Sequence, residues 1–342
     1  MEHKTYNLWT VIAVSGLCLL LFSQCFSGGK GGSLSGSTGK TNEMMLVISD
    51  NAYSGAVADS VKEFFTRNDL CLPQPEALYD VFAVPQQNLN SQLPIKKHHN
   101  ILIVNINDTI KEGVFSDKDV WATPQLVVQF NANSDSAFYT LFRKYRRTIL
   151  EKFDQNELLR ARNLTDFGKN VGLSNDIAKQ FNLNMTIPAG FQVVKKDNDF
   201  LWFYQKRHQK SSDMTANIMI WQRPYTAELQ FSTDSLILER NRVGRMYISG
   251  PTAGSYMKTA TSYIHPQTEI ISDYMNGFAV EMRGLWELEG DFMGGPFISY
   301  TFVHPTTQQF ITIDAFLYHP NNDKRPLLRQ LQAVITNVSV FE

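Results

Sequence analysis

"TEIISDYMNGFAVEMRGLWEL", residues 268–288, carries the signal that decides the fold. Two apolar runs flank Asn276-Gly277, a dipeptide that tolerates the positive φ angles of a tight hairpin turn. An antiparallel strand pair is expected here. The same texture extends outward. "SYMKTATSYIH" (255–265), "PFISYTFVHP" (296–305) and "QQFITIDAFLYHP" (308–320) read as strands, as do Phe191-Gln192-Val193, Leu201 to Tyr204 and "ANIMIWQRPY" (216–225). A helix, "DSLILERNRVGRMYI" (234–248), interrupts them. "DKRPLLRQLQAVITNVSVF" (323–341) predicts a closing helix and a short strand. Antiparallel strands with helices laid on them imply an α+β sandwich over residues 185–342.

The preceding stretch has a different rhythm. Strand-like runs at "MMLVISDN" (44–51), "LYDVFAVP" (78–85), "HNILIVNIND" (99–108) and "PQLVVQFNANS" (124–134) alternate with helical segments. The longest helix is expected in "DSAFYTLFRKYRRTILEKFDQNELLRAR" (135–162), where Phe138, Leu141, Phe142, Tyr145 and Ile149 form one apolar stripe. A further helical stretch, "SNDIAKQFN" (174–182), closes this half. No glycine phosphate loop follows any strand, so residues 43–184 predict a mixed α/β domain without a nucleotide fingerprint. The fold class is α+β: a mixed α/β domain followed by an antiparallel sandwich. In outline the second half resembles domains of the oxygen-evolving-enhancer and Mog1 type.

The chain of 342 residues is 43% hydrophobic, enough to bury a large core. With 33 acidic against 32 basic residues, it presents no net electrostatic footprint for nucleic acid. The short basic clusters "IKKHH" (95–99) and "FRKYRR" (142–147) read as solvated faces. The 3 cysteines, Cys18, Cys25 and Cys71, exclude a disulfide framework. Cys71 reads as a small buried hydrophobe.

The N-terminus supplies an address. "TVIAVSGLCLLLF", Thr10 to Phe22, is uncharged, but as a helix it reaches only ~20 Å, short of a ~30 Å hydrocarbon core. That length suits a signal-peptide core. Its end, "FSQC", resembles a lipoprotein lipobox, which implies cleavage after Gln24 and acylation of Cys25. Ser23 fits that pattern, whereas Phe22 and Gln24 depart from it. Residues 1–24 are therefore expected to be a lipoprotein signal peptide, and 25–42, rich in Gly and Ser, a flexible tether behind the lipidated cysteine. Acyl chains, palmitate among them, contribute ~0.8 kcal/mol per buried CH₂. No acidic run follows Cys25, which favours the periplasmic face of the outer membrane over the cell surface.

Candidate sites are sparse. "RGLWELEGDFMGGPFISY" (283–300) places Trp286, Asp291 and Phe292 among glycines 290, 294 and 295, and Tyr256 sits in a second glycine-bearing loop, "GPTAGSYM" (250–257). These four residues could shape a binding pocket. The competing reading is a hairpin loop whose aromatics cap the core and whose glycines take positive φ. Glu281, Glu287, Glu289 and Asp291 could supply a carboxylate pair for an envelope hydrolase. No histidine pair has i, i+4 spacing, and adjacent His98 and His99 are expected to point apart, so no metal site and no cofactor is assigned. Asp-Ser/Thr-apolar triplets at 59–61, 108–110, 135–137 and 234–236 resemble a Bacteroidota O-glycosylation motif, and equally helix caps.

Together, "WATPQLVVQF", "IPAGF", "GPTAGSYM" and "GLWELEGDFMGGPF" resemble a family of Bacteroidota lipoproteins classed as a domain of unknown function. The likeness spans about residues 43–342 and implies an envelope lipoprotein without an assigned activity. The expected partners are the bilayer, through the acyl anchor, and an envelope protein or ligand. The leading expectation is non-catalytic binding or scaffolding, and the alternative is the hydrolase.

Overall fold

Strands buried on both faces lose the alternation that marks a half-exposed sheet, and residues 295–302 and 310–317 form two such strands, buried at every position. The computed structural model describes residues 34–49, 55–165, 168–209 and 212–341. The signal peptide and Cys25 lie outside them.

The N-terminal half contains β1 (Glu43–Ile48), α1 (Ala56–Phe65), β2 (Asp80–Pro85), α2 (Gln86–Ser91), α3 (Leu93–Lys96) and β3 (Asn100–Ile106). It continues with β4 (Gly113–Lys118), β5 (Leu126–Ala132) and α4 (Asp135–Thr165). The sheet order is β2-β1-β3-β5-β4, parallel except for β4 at the edge. Met44, Leu46 and Ile48 point to one face, where Val61, Phe65, Phe138 and Phe153 of α1 and α4 cover them. Val47, Ile101 and Ile103 point to the other, under Leu89 of α2 and Ile95 of α3. β4 escapes the sequence reading because it is a polar, largely exposed edge strand with no core side to pattern.

The second half contains α5 (Val171–Phe181), β6 (Leu183–Met185), β7 (Gln192–Asp197), β8 (Phe200–Gln209), β9 (Ser212–Pro224) and α6 (Thr233–Tyr247). It continues with β10 (Tyr256–Ala260), β11 (Gln267–Tyr274), β12 (Gly277–Glu289), β13 (Gly294–Val303), β14 (Gln309–Tyr318), α7 (Arg325–Ile335) and β15 (Val338–Val340). The large sheet runs β10-β12-β13-β14-β9-β8-β7, with β11 also on β12, and every pairing is antiparallel. α5 and α7 bury Ile177, Phe181, Leu331 and Ile335 against one face. α6 buries Leu236, Ile237 and Val243 against the other. The fold is α+β, as the alternation predicts.

Three expectations shift. The hairpin turn falls on Met275 and Asn276, at φ 53° and 63°, and Gly277 already pairs with Tyr274. A bulge between Ile271 and Tyr274 moves the loop back by one residue, and Met275 packs on the core as a result. α5, expected within 43–184, packs instead on the second sheet, so the seam between the halves runs between α4 and α5. Residues 36–42, expected as the end of a flexible tether, lie docked: Gly36 bridges Thr123, Thr38 bridges His98, and Arg160 donates to the Gly39 carbonyl.

Residues 36–342 form one compact unit, and α7 does most of the joining. The Glu76 carboxylate, from the loop before β2, accepts from the amides of Lys324 at 2.8 and 3.0 Å and of Arg325 at 2.9 Å. It thus caps the positive end of a helix of the other half. Arg325 also binds Asp80 at 2.6 Å, and Arg329 binds Asp154 of α4 at 2.6 Å.

Candidate functional site

The β12–β13 loop is built by its glycines in two different ways. Gly290 takes φ 79°, the left-handed region that suits glycine. Gly294 and Gly295 do not serve positive φ. A Cβ on Gly295 would meet the Leu317 carbonyl oxygen at 2.1 Å, so its role is close approach of β13 to β14.

Asp291 locks this loop to its neighbour. Its Oδ2 accepts from Thr252 Oγ1 at 2.6 Å, and its Oδ1 accepts from the Phe292 amide at 2.6 Å. Those two bonds hold its carboxyl below the usual range, with Thr252 contributing most. The two glycine-bearing loops are thereby tied together, and Phe292 is left wholly exposed at the tip, with Tyr263 at 84% exposure nearby. Between them lies an open hollow of about 460 Å³ lined by Leu72, Pro73, Tyr263, Leu285, Phe292 and Met293.

Of the four residues singled out from sequence, Asp291 and Phe292 share this hollow. Trp286 borders it but is only 4% exposed: its Nε1 donates to the Leu317 carbonyl at 3.2 Å and its ring meets Phe316 edge-on at 5.5 Å. It is mainly a core residue. Tyr256 is not in the hollow; it is half-buried, with the Arg245 guanidinium 5.0 Å from its ring. Tyr263, Leu72 and Pro73 are missed by the sequence reading. An exposed Tyr gives no periodic signal, and the 72–73 contact comes from the other half of the chain.

Of the four carboxylates, Glu287 and Asp291 border the hollow, while Glu281 lies buried away from it. Glu281 is buried, accepts from Arg283 Nε and the Tyr300 hydroxyl, and takes a third bond from Gln332 Nε2 at 3.3 Å. Burial pushes its carboxyl up, but the Arg283 charge and these bonds outweigh that and leave it below the ordinary range. Glu287, at 3.4 Å, and Glu289 share Lys258.

His98 and His99 do not point apart: their rings stack with centroids 4.6 Å apart. They sit at a bend and an isolated bridge, where neither helix nor strand periodicity applies. His99 Nε2 lies 2.6 Å from Glu157 Oε1, and its Nδ1 lies 2.8 Å from the Thr38 carbonyl. Asn100 and Asn156 complete a buried polar knot that fastens residues 36–42 to the first sheet. Among the described residues no cluster of three His, Cys, Asp or Glu side chains is placed to hold a metal. Cys71 is buried, and burial, with Asp69 beside it, pushes its thiol up to about 12, away from nucleophilic use.

Two family models match this chain: Domain of unknown function (DUF8532) over residues 37–165 and Domain of unknown function (DUF4837) over 170–337. The chain is therefore built from two uncharacterised domains, and their boundary coincides with the seam between α4 and α5. No curated protein matches the sequence. Among solved structures, the Ran-binding protein Mog1p of Saccharomyces cerevisiae overlaps at TM-score 0.31 and 8% identity, covering 47% of this chain and 91% of its own. LpqN, involved in cell envelope biogenesis of Mycobacterium tuberculosis, overlaps at 0.27 and 6%, covering 46% and 82%. A protein from Bacteroides thetaiotaomicron overlaps at 0.24 and 11%, covering 47% and 46%. Overlaps this slight define neither fold nor function.

Proposed function

We propose that this protein is a lipoprotein of the bacterial cell envelope that captures a partner or ligand without catalysis. It is held by acyl chains on Cys25 at the periplasmic face of the outer membrane. The observation that carries the binding reading is Phe292, an unburied aromatic on a loop tied to its neighbour by the Asp291–Thr252 hydrogen bond, beside exposed Tyr263 and a mainly apolar hollow. Aromatic anchors on rigid supports lose little entropy on binding and are the usual energetic centres of interfaces. The anchor reading rests on the short apolar run and "FSQC". It accords with the described helices, none of which is long and apolar enough to cross a membrane. The hydrolase alternative would rest on Glu287 and Asp291, which border the same hollow, Glu287 paired with Lys258 and Asp291 bonded to Thr252.

Two measurements test this. Radiolabelled palmitate should enter the wild-type protein and not Cys25→Ser. A photo-crosslinking amino acid at position 292, in native membranes, should capture one reproducible species that is lost when Tyr263→Ser is added. An unlabelled protein retaining its leader would overturn the anchor. A protein that crosslinks to nothing and turns over a glycan or peptide would overturn the binding role.

A further inference from the structure

Several arginines of this protein have a carboxylate partner. Arg240 has Asp314, Arg242 has Glu239, Arg283 has Glu281, Arg325 has Asp80 and Arg329 has Asp154. Four without one are gathered in a single place. Arg67, just beyond α1, and Arg143, Arg146 and Arg147 on one face of α4 line a common groove of about 630 Å³ between the two helices. Among the described residues none of the four lies within ion-pair distance of a carboxylate.

Two of the four are held in place, while Arg143 and Arg147 are exposed at the rim. The Arg67 and Arg146 guanidiniums lie 4.1 and 5.0 Å from the centre of the same ring, Phe64. Phe64 is in turn fixed edge-on against Phe65 at 5.0 Å and Phe142 at 5.7 Å. Stacking on an aromatic face restricts a guanidinium, and Arg67 is tied further by its NH1, which donates to the Phe64 carbonyl. Arg67 also feels its neighbours: burial, then the charges of Arg146 and Arg147, hold its guanidinium below the ordinary value. Asp154 is the carboxylate that opposes them, and it is already bound by Tyr79 at 2.9 Å and Arg329 at 2.6 Å. Like charges three and four apart on a helix repel. Such a grouping is unfavourable alone and becomes favourable when an anion enters.

We propose that the α1–α4 groove is a binding site for a phosphate-bearing ligand, its oxyanion held by Arg67, Arg146 and Arg147 in front of Phe64. Guanidinium forks match phosphate oxygens two at a time. The Ser60 and Tyr139 hydroxyls in the groove wall can donate further bonds, and Glu63 at the same wall can accept from a ligand hydroxyl or amine. The site stands apart from the Phe292 hollow and does not depend on how the chain is anchored. A free phosphorylated solute and a lipid headgroup carry this same chemistry.

Calorimetric titration of the full chain in neutral detergent separates the two sources. Inorganic pyrophosphate is the soluble probe, dihexanoyl-phosphatidylglycerol the headgroup probe, and dihexanoyl-phosphatidylcholine the neutral control. We expect at least one anionic probe to bind, with affinity falling about tenfold or more in Arg146→Gln/Arg147→Gln and weakening as salt rises. Pyrophosphate binding alone assigns a soluble ligand, and phosphatidylglycerol binding alone assigns a headgroup. Arg147 is exposed and Arg146 half-buried, so the variant should melt no lower than wild type, and Arg143→Gln offers a milder second test. Failure of both anionic probes, or equal affinity in the double variant, would overturn the site.

Discussion

Arg240 and Asp314 form an ion pair in the middle of the protein, at 1% and 0% exposure. Arg240 Nε donates to Asp314 Oδ2 at 2.8 Å, its NH1 reaches Thr259 Oγ1 at 3.3 Å, and its guanidinium lies 3.7 Å from the Phe297 ring centre. The pair is incompletely satisfied: Arg240 NH2 and Asp314 Oδ1 have no hydrogen-bond partner. Removing one member strands a buried charge. Arg240→Met should therefore cost about 3–5 kcal/mol, the lost cation–π contact included. Removing both, in Arg240→Met/Asp314→Leu, deletes two desolvation penalties together and should be neutral or stabilising by about 1–4 kcal/mol. Acid gives a second handle. Burial raises the Asp314 carboxyl despite Arg240, so its contribution is present below the unfolded pKa and is lost as pH rises through the folded one. The deficit of Arg240→Met should accordingly shrink between neutral pH and about pH 4, where protonation relieves the stranded carboxylate. Urea unfolding of the wild type and the two variants at both pH values measures this. A single variant costing less than about 1 kcal/mol, or a double variant as unstable as the single, would refute the reasoning.

Glu76→Ala removes the carboxylate that caps α7 and should lower stability by about 1–2 kcal/mol, read as a drop in the urea midpoint. Gly295→Ala drives a methyl into the Leu317 carbonyl and should prevent β13 and β14 from pairing, seen as loss of soluble, protease-resistant protein. Burial, reinforced by His99, lowers His98 from 6.5 to about 4. Acid therefore protonates the unfolded chain first. Its contribution is complete above about pH 6.5 and is lost as pH falls through about 4, at up to about 1.4 kcal/mol per unit. In His98→Gln, the acid limb of a stability–pH profile should be shallower.

The legible parts of the fold are those whose signal is local. β12 shows buried Met282, Trp286 and Leu288 at every second place, and α4 shows its apolar stripe, because each face meets one continuous core. α5 reads as a helix from its own residues, yet which sheet it covers depends on Phe203 and Leu331, far off in the chain. The candidate site divides the same way. Asp291 and Phe292 stand out as a polar and an aromatic residue on a glycine-rich loop, but Thr252, which immobilises them, comes from a separate loop. "FRKYRR" alone reads as a solvated face, because one helix cannot reveal Phe64 on another or Arg67 just beyond it.

The cap on α7 has a consequence for biosynthesis. Glu76 and the amides it binds are 248 positions apart, so a ribosome exposes the first domain long before the helix that closes it exists. Until then the Glu76, Asp80 and Asp154 carboxylates lack these partners. The contacts that join the two halves can therefore form only after α7 has emerged, whatever the first sheet has already built around its own cores.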